Sequence, residues 1–505
     1  MVLYESSSQC YGCSACMQTC ENNAISMIED EEGFLYPVIN EELCIGCGRC
    51  ALSCQTNNSK KDIGRAERVM YAAYNNDWNI RRKSSSGGVF FSLARKILQT
   101  GGIVFGAAFN SDYEVEHMSA DSELKLDKLI GSKYVQSNVK YTYREVKDYI
   151  KSGKEVLYAG TPCQISGLRN FLAKEDIDNL IFVSVICHGV CSPMVWRKYL
   201  NLKKGQYDEK QVTAVSFRDK KEGWHNFGLE IKLGDRCYRQ SHKIDLYMKG
   251  FLQNKYLRPS CYECEAKKNM ENADIILGDF WGIGNTYPEL DDDKGVSCVL
   301  VNSLKGKKLW EIVKEEFVVR EVSYEQIVKS NSALIDSPEK PSDRKDFFEQ
   351  LNEEGLIEKS ITNHVKNYTT EQRKLVQYPV LYQYLSRVIG GMEIGELIKA
   401  KGWKKISLYA MTDLMELVYQ QLVDTNSDVS VKNICDKGYK RFQEPYEGVI
   451  EIIGIEKLKQ VIENKEIDGV VLCNPMWEKE IETELQREGI SEEKILTISE
   501  LVMKR

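Results

Sequence analysis

The chain has 505 residues, 42% apolar and 28% charged, the balance of a soluble globular protein rather than a disordered one. At this length about three domains are expected, since a single core stops growing well before it. No apolar run approaches the roughly 18 residues a spanning helix needs, MVLYESSSQC lacks a basic and apolar export leader, and a net charge of −7 gives no electrostatic case for nucleic acid; no membrane span and a cytoplasmic location are expected.

In chain order the cysteines come first. Eight of the seventeen fall between residues 10 and 54, as two runs of spacing C-x2-C-x2-C-x3-C: Cys10, Cys13, Cys16, Cys20 and Cys44, Cys47, Cys50, Cys54. Without an export leader these are metal ligands or free thiols rather than disulfides. A short loop holds three corners of an iron–sulfur cube and must take the fourth from elsewhere. Structural zinc also takes four cysteines, but usually from two separate C-x2-C units. Gly12, Gly46 and Gly48 let the backbone fold closely around the sulfurs. The runs resemble a ferredoxin with two 4Fe-4S clusters, in which the fourth cysteine of each run ligates the other cluster. That resemblance assigns Cys10, Cys13, Cys16 and Cys54 to one cluster and Cys44, Cys47, Cys50 and Cys20 to the other, although Glu21 and Gln55 stand where the family has proline. Residues 1–60 carry eight acidic side chains against Arg49 and Lys60. This is a solvated face, or a charge that docks onto the more basic stretch 211–260, with ten Lys or Arg against five Asp or Glu.

From about Met70 to Val328, strand-like runs (GGIVFGAAF, EVLYAG, LIFVSVIC, ADIILGDF, VSCVLV) alternate with helical stretches, as in an α/β body. Residues 329–375 are polar and read as a connector with one or two helices. The last stretch alternates KISLYAM, DVSVKNICD, GVIEII, DGVVLCNP and KILTIS with helices, a Rossmann-like parallel sheet. The expected organisation is multidomain, α+β and α/β: a head at 1–60, a body at 61–330, a helical connector at 331–378 and a Rossmann-like domain at 379–505. ISLYAMTDLMELV has no glycine between strand and helix, which argues against a dinucleotide site, and Asp436 sits where either a ribose-binding acid or a turn residue fits. A specificity or partner-docking role is expected for this domain.

Within the body stand SSSGGVF (84–90), GSKYVQS (131–137), AGTPCQI (159–165), ICHGVCSP (186–193), FRDK (217–220), RPSCYEC (258–264) and ILGDFWG (276–282). In this order they resemble the beta subunit of coenzyme F-420 hydrogenase/dehydrogenase, with the ferredoxin head often fused to it. The resemblance implies FAD, iron–sulfur chemistry and hydride exchange with a deazaflavin. Arg81, Arg82 and Lys83 before Ser84–Gly88 and a helical stretch outline an anion site, though a plain capped helix gives the same pattern. The resemblance assigns Ser86, Gly87 and Gly88 to the FAD pyrophosphate. Lys133, Tyr134 and Gln136 either meet the flavin ring or line a half-buried strand. His188 is a candidate for proton transfer or a turn histidine, and Asp279 and Trp281 follow a strand where ligands often meet loops.

Four further cysteines, Cys163, Cys187, Cys261 and Cys264, lie at strand ends and in a C-x2-C loop, and are expected to hold a third 4Fe-4S cluster, with zinc as competitor. Cys191, Cys237, Cys298, Cys435 and Cys473 are expected to be filler. The expected activity is that of an anaerobic iron–sulfur flavoprotein oxidoreductase, passing electrons between a hydride-carrying cofactor and the clusters through FAD. Its partner is such a cofactor or a redox protein in an oxidoreductase complex. The alternatives are an electron-relay subunit with no substrate site, or a redox component of surface-polysaccharide biosynthesis.

Overall fold

The computed structural model describes residues 4–57, 68–207, 209, 211–354, 357–365, 384–385, 388, 390–391, 393–425, 427–439, 445–475 and 478–503. The chain forms two compact units, Met1–Lys366 and Asn367–Arg505. The expected boundaries at 60/61 and 378/379 fall outside the described residues.

The first unit opens with the head. Each cysteine run ends in a five-residue helix, Ala15–Thr19 and Arg49–Ser53, entered through a left-handed residue (Ser14, φ 59°; Gly48, φ 71°) and closed by Cys20 or Cys54. An antiparallel hairpin, β1 (Ile25–Glu29) and β2 (Leu35–Ile39), lies between them in the chain. The body contributes β3 (Val69–Asn75), β4 (Ile103–Phe109), β5 (Val115–Ala120), β6 (Val156–Gly160), β7 (Leu180–Val185), β8 (Val212–Asp219), β9 (Gly228–Leu233), β10 (Arg236–Ser241), β11 (Ile275–Asp279), β12 (Ser297–Val301) and β13 (Phe317–Glu321).

Eight of these strands form one mixed sheet in the order β13-β3-β12-β11-β7-β6-β4-β5. Its centre, β11-β7-β6-β4, is parallel, and the flanking pairs are antiparallel. Both faces are covered, which is why these strands read as apolar runs. Successive residues alternate between two cores: Phe105, Tyr158, Phe182 and Leu300 on one side, Val104, Leu157, Val183 and Val301 on the other. The parallel strands all point their C-terminal ends to one edge, where Asp279 ends β11 and the segments carrying Cys163 and Cys187 follow β6 and β7.

A second sheet, β10-β9-β8, is antiparallel and packs Phe217, Leu229 and Ile231 into a third core with the helix Pro193–Gln206. Helices Arg344–Glu354 and Ile357–His364 complete that core through Phe347, Phe348, Leu351, Ile357 and Ile361. The part of 331–378 that is described up to residue 365 contains two helices, and these pack into the core of the body. Its aromatic pair and spaced isoleucines carry the burial that polar composition concealed.

The second unit holds a five-stranded parallel sheet, β14 (Lys405–Tyr409), β15 (Ser430–Cys435), β16 (Glu451–Ile453), β17 (Gly469–Leu472) and β18 (Ile495–Thr497), ordered β16-β15-β14-β17-β18. In chain terms this is 3-2-1-4-5, the doubly wound arrangement. Leu408, Ile434 and Val471 face one core, Tyr409, Cys435 and Val470 the other. The turn after β14 uses Ala410 at φ 77° where glycine would be relaxed. Asp436 accepts hydrogen bonds from Met411 N (3.1 Å) and Gly438 N (2.7 Å), and so ties two loops together.

Candidate metal centres

In the head, Cys10, Cys13, Cys16 and Cys54 line one small cavity with Gly12, Ser14 and Ala15. Burial, with nearby Cys10 and Cys54 contributing, pushes the Cys13 thiol up to about 11; Cys16 is driven up by burial and by Cys13, Cys10 and Cys54. Burial also raises Cys50, with Cys47 and Cys20 adding to it. The first group thus combines three cysteines of one run with the fourth of the other, and in the second Cys50 and Cys47 lie near Cys20 of the other run. Cys47 is exposed, as are Ile45 and Gly46 before it, so the second group lies at the surface.

A third group forms in the body. Cys163 is the second residue of the helix Pro162–Phe171, whose positive end favours thiolate, and Thr161 Oγ1 lies 3.1 Å from its sulfur. Gln164 Oε1 accepts the N–H of Thr161 at 3.0 Å and fixes that turn. Cys187 follows β7, with Ile186 N donating to Leu277 O at 2.8 Å. Cys261 closes a 3-10 turn begun at Pro259, and Cys264 N donates to Ser337 Oγ at 2.9 Å. Burial drives Cys163 well above the usual thiol range, and Cys264, Cys187 and Cys261 all push it further. Burial raises Cys187 to about 12 and Cys261 to about 11, again with neighbouring thiols contributing.

Crowded, buried thiols that oppose one another's ionisation suit a positively charged core that takes all four as thiolates. Among the described residues no three His, Cys, Asp or Glu side chains close on a single metal ion. Structural zinc takes four thiolates about 2.3 Å from one point, whereas a cubane holds them around a larger body.

The first and third groups abut. Tyr11, next to Cys10, accepts at its hydroxyl from Glu265 N (3.2 Å), beside Cys264. Gln55, next to Cys54, donates Nε2 to Cys163 O at 2.9 Å. Gly167, one turn along the Cys163 helix, has room for no side chain: a Cβ there would lie 2.9 Å from Cys13 Sγ. Among the described residues, arginines outside 211–260 hold the head on its own unit, Arg144 Nε to Gln18 O (2.8 Å), Arg197 to Glu29 and Arg344 to Glu32, and Arg258 joins them from that stretch.

The other expected contacts are taken up within the protein. Gly87 N donates to Ser297 Oγ (2.9 Å), and a Cβ on Gly87 would lie 2.2 Å from Ala73 O. Ser86 Oγ donates to Val296 O (2.6 Å), and Gly88, at φ 91°, starts the helix Val89–Gln99. The glycine at 87 serves close approach to β3 and β12, and the pyrophosphate contacts expected of Ser86 and Gly87 do not fit these residues. Gln136 is likewise committed, with Nε2 donating to Tyr11 O (3.1 Å) and Oε1 accepting from Arg258 (3.0 Å), rather than facing a flavin ring. Lys133 Nζ donates to Ile130 O and Lys128 O (3.0 and 3.1 Å). Tyr134 stacks on Phe251 with centroids 4.6 Å apart. His188, its pKa lowered by burial, lies with Nε2 2.6 Å from Asn254 Oδ1 in a turn.

Four of the sequence words meet instead at a residue outside the expected set. Arg218 of FRDK is buried and bidentate to Asp279 (2.7 and 3.0 Å), and it also donates to Tyr134 Oη (3.0 Å) and Ser85 O (3.1 Å). Lys220 Nζ donates to Arg81 O, Ser86 O and Lys294 O, closing the serine loop from below. Trp224 donates to Asp279 (2.9 Å) and stacks on Trp281 at 4.7 Å. An arginine and a lysine flanking one aspartate in an otherwise apolar strand were the available signal. Of the five expected filler cysteines, Cys191, Cys298, Cys435 and Cys473 are buried and Cys237 is exposed.

Residues 153–326 match the family model for the carboxy-terminal part of the coenzyme F420 hydrogenase/dehydrogenase beta subunit, and residues 9–58 match that of the 4Fe-4S dicluster domain. No curated protein matches the chain. Among solved structures, a chain from the xenon-derivatised F420-reducing [NiFe] hydrogenase complex of Methanosarcina barkeri is 17% identical, with a TM-score of 0.37, over 59% of this chain and 91% of that one. At that score the likeness carries no argument. No helix among the described residues is long and apolar enough to cross a membrane.

Proposed function

We propose that this chain, an iron–sulfur electron-transfer protein related to the coenzyme F420 hydrogenase beta subunit, carries electrons along three 4Fe-4S centres, from one in the body to one at the head surface. The observation that carries the reading is the junction of the first and third cysteine groups through Tyr11–Glu265, Gln55–Cys163 and Gly167–Cys13. Cys163, Cys187, Cys261 and Cys264 would hold the inner centre, Cys10, Cys13, Cys16 and Cys54 the middle one, and Cys44, Cys47, Cys50 and Cys20 the outer one. When bound, each centre takes up and releases one electron. The chain's own residues hold the inner two centres half-buried and close together, and leave the outer one beside the exposed Cys47, Leu43, Ile45 and Leu52, where a redox partner can approach. Twelve cysteines given to iron–sulfur centres and five further thiols suit a reducing, anaerobic cytoplasm.

The hydride partner follows from the family resemblance alone: a deazaflavin or nicotinamide cofactor, or another redox subunit. No step of the relay is routed through FAD, because the serine–glycine loop and Gln136 make their contacts within the protein. The second unit is read as a specificity or partner-docking module, since Asp436 is spent on Met411 and Gly438.

Anaerobic reconstitution with iron and sulfide tests the reading. About twelve irons per chain are expected, falling by about four in Cys261→Ser or Cys264→Ser with the head signals intact. A wild-type plateau near eight irons removes the inner centre. Turnover of reduced F420, NADH or NADPH with a viologen acceptor separates an enzyme from a relay that turns over none of them.

A further inference from the structure

Four arginines of the described residues are buried: Arg81, Arg218, Arg258 and Arg344, with 4, 5, 1 and 4% of their surface exposed. Three of them meet a carboxylate, Arg81 with Asp292, Arg218 with Asp279 and Arg344 with Glu32. Arg258 is the most buried, and among the described residues no carboxylate lies within ion-pair distance of it. Its donors go to Cys10 O (2.8 Å), Leu35 O (3.0 Å), Gln136 Oε1 (3.0 Å) and Cys10 Sγ (3.6 Å). Its guanidinium also lies over the Tyr36 ring, 4.2 Å from the centroid. Burying a cation with no carboxylate in contact is costly, and although the half-buried Asp30 nearby feels its charge, the site calls for a further counter-charge at the guanidinium itself.

The surroundings are built to receive this group. Gly12 sits between Cys10 and Cys13 at φ +66°, and a Cβ there would lie 2.8 Å from Arg258 Nη1 and 2.9 Å from Gln136 Nε2. The head loop thus leaves out a side chain where the guanidinium enters. Arg258 is fixed from behind, its N–H donating to Val190 O (3.0 Å) and its carbonyl accepting from Cys261 N (2.8 Å). One residue therefore touches a ligand of the middle centre while its carbonyl holds a ligand of the inner one.

We propose that Arg258 is the built-in counter-ion of the centre held by Cys10, Cys13, Cys16 and Cys54, raising its reduction potential, and that Gln136 positions the guanidinium. This rests on the iron–sulfur reading above. Adding one electron makes a thiolate-ligated centre one charge more negative, and a fixed cation donating to a ligating sulfur favours that form in a low-dielectric site. Gln136, expected at a flavin ring, instead serves this arginine. Its carbonyl oxygen holds Nη1, while its amide nitrogen donates to Tyr11 O.

The test compares full-length wild type, Arg258→Met, Arg258→Lys and Gln136→Leu after anaerobic reconstitution, by iron analysis and by potentiometric titration followed by electron paramagnetic resonance. With iron content unchanged, Arg258→Met should lower one midpoint, and one only, enough to change the oxidised-to-reduced ratio about tenfold at fixed potential, about 59 mV for one electron. Arg258→Lys should shift it less, and Gln136→Leu less again in the same direction. Wild-type iron content in Arg258→Met, with no midpoint moved enough to change that ratio by more than about twofold, overturns the proposal. If Arg258→Met loses a centre, unshifted midpoints in both Arg258→Lys and Gln136→Leu overturn it. Failure of the wild type to take up iron would instead remove the iron–sulfur reading itself.

Discussion

Replacing Asp279 with Asn keeps the shape of the side chain and removes its charge, leaving Arg218 buried without its counter-ion. The Arg218 side chain is 2% exposed and that of Asp279 16%. Breaking a buried pair from one side costs about 3–5 kcal/mol, and the partial opening at Asp279 places this case near 3 kcal/mol. Asn can still accept one of the two Arg218 bonds, but its amide N–H groups now face the guanidinium. For a unit of this size each kcal/mol moves the midpoint of thermal unfolding by about 2 °C, so Asp279→Asn should unfold about 6 °C below wild type. Near-UV circular dichroism at one scan rate reads this, repeated at high salt, which should change the difference little because a buried pair is poorly screened. In Arg218→Leu/Asp279→Leu the loss should be smaller than the two single losses added together. Additive singles, or an Asp279→Asn midpoint within about 1 °C of wild type, would refute the assignment of Arg218 and Asp279 as the knot joining the serine loop to the strand ends.

His117 predicts a pH dependence. Burial lowers its pKa to about 4, while Ala159 O and Ser137 Oγ lie 3.0 Å from its two nitrogens. The ring is neutral in the fold and, near pH 5, protonated in the unfolded chain, so stability is complete above about pH 6.5 and falls between there and about pH 4. Denaturant midpoints across that window should drop, by about 3 kcal/mol in all at 1.36 kcal/mol per pKa unit, and His117→Gln should flatten the profile; an unchanged slope in that variant would assign the loss elsewhere. Gly87→Val should destabilise the protein by about 1–3 kcal/mol or more, because its side chain meets the backbone of β3 and β12, and added FAD should not restore the loss; thermal stability restored by FAD would return the loop to phosphate binding.

The head was legible in the sequence because its ligands are local. A loop of spacing C-x2-C-x2-C presents its sulfurs whatever the rest of the chain does, and Gly12 and Gly48 take the left-handed conformations such loops require. The central strands were legible for a similar reason, since a strand buried on both faces must be apolar along its length. The antiparallel sheet β8–β10 was not, because one covered face leaves polar residues in every second place, and the helices expected after residue 331 hid their burial in a polar composition. The grouping of Cys163, Cys187, Cys261 and Cys264 was expected from the words that carry them, but only tertiary structure turned Gly87 toward Ala73 and Gln136 toward Arg258. Spacing along the chain states what a segment can offer. Who receives the offer depends on contacts between residues such as Arg258 and Cys10, separated by 248 positions, and no local pattern encodes them.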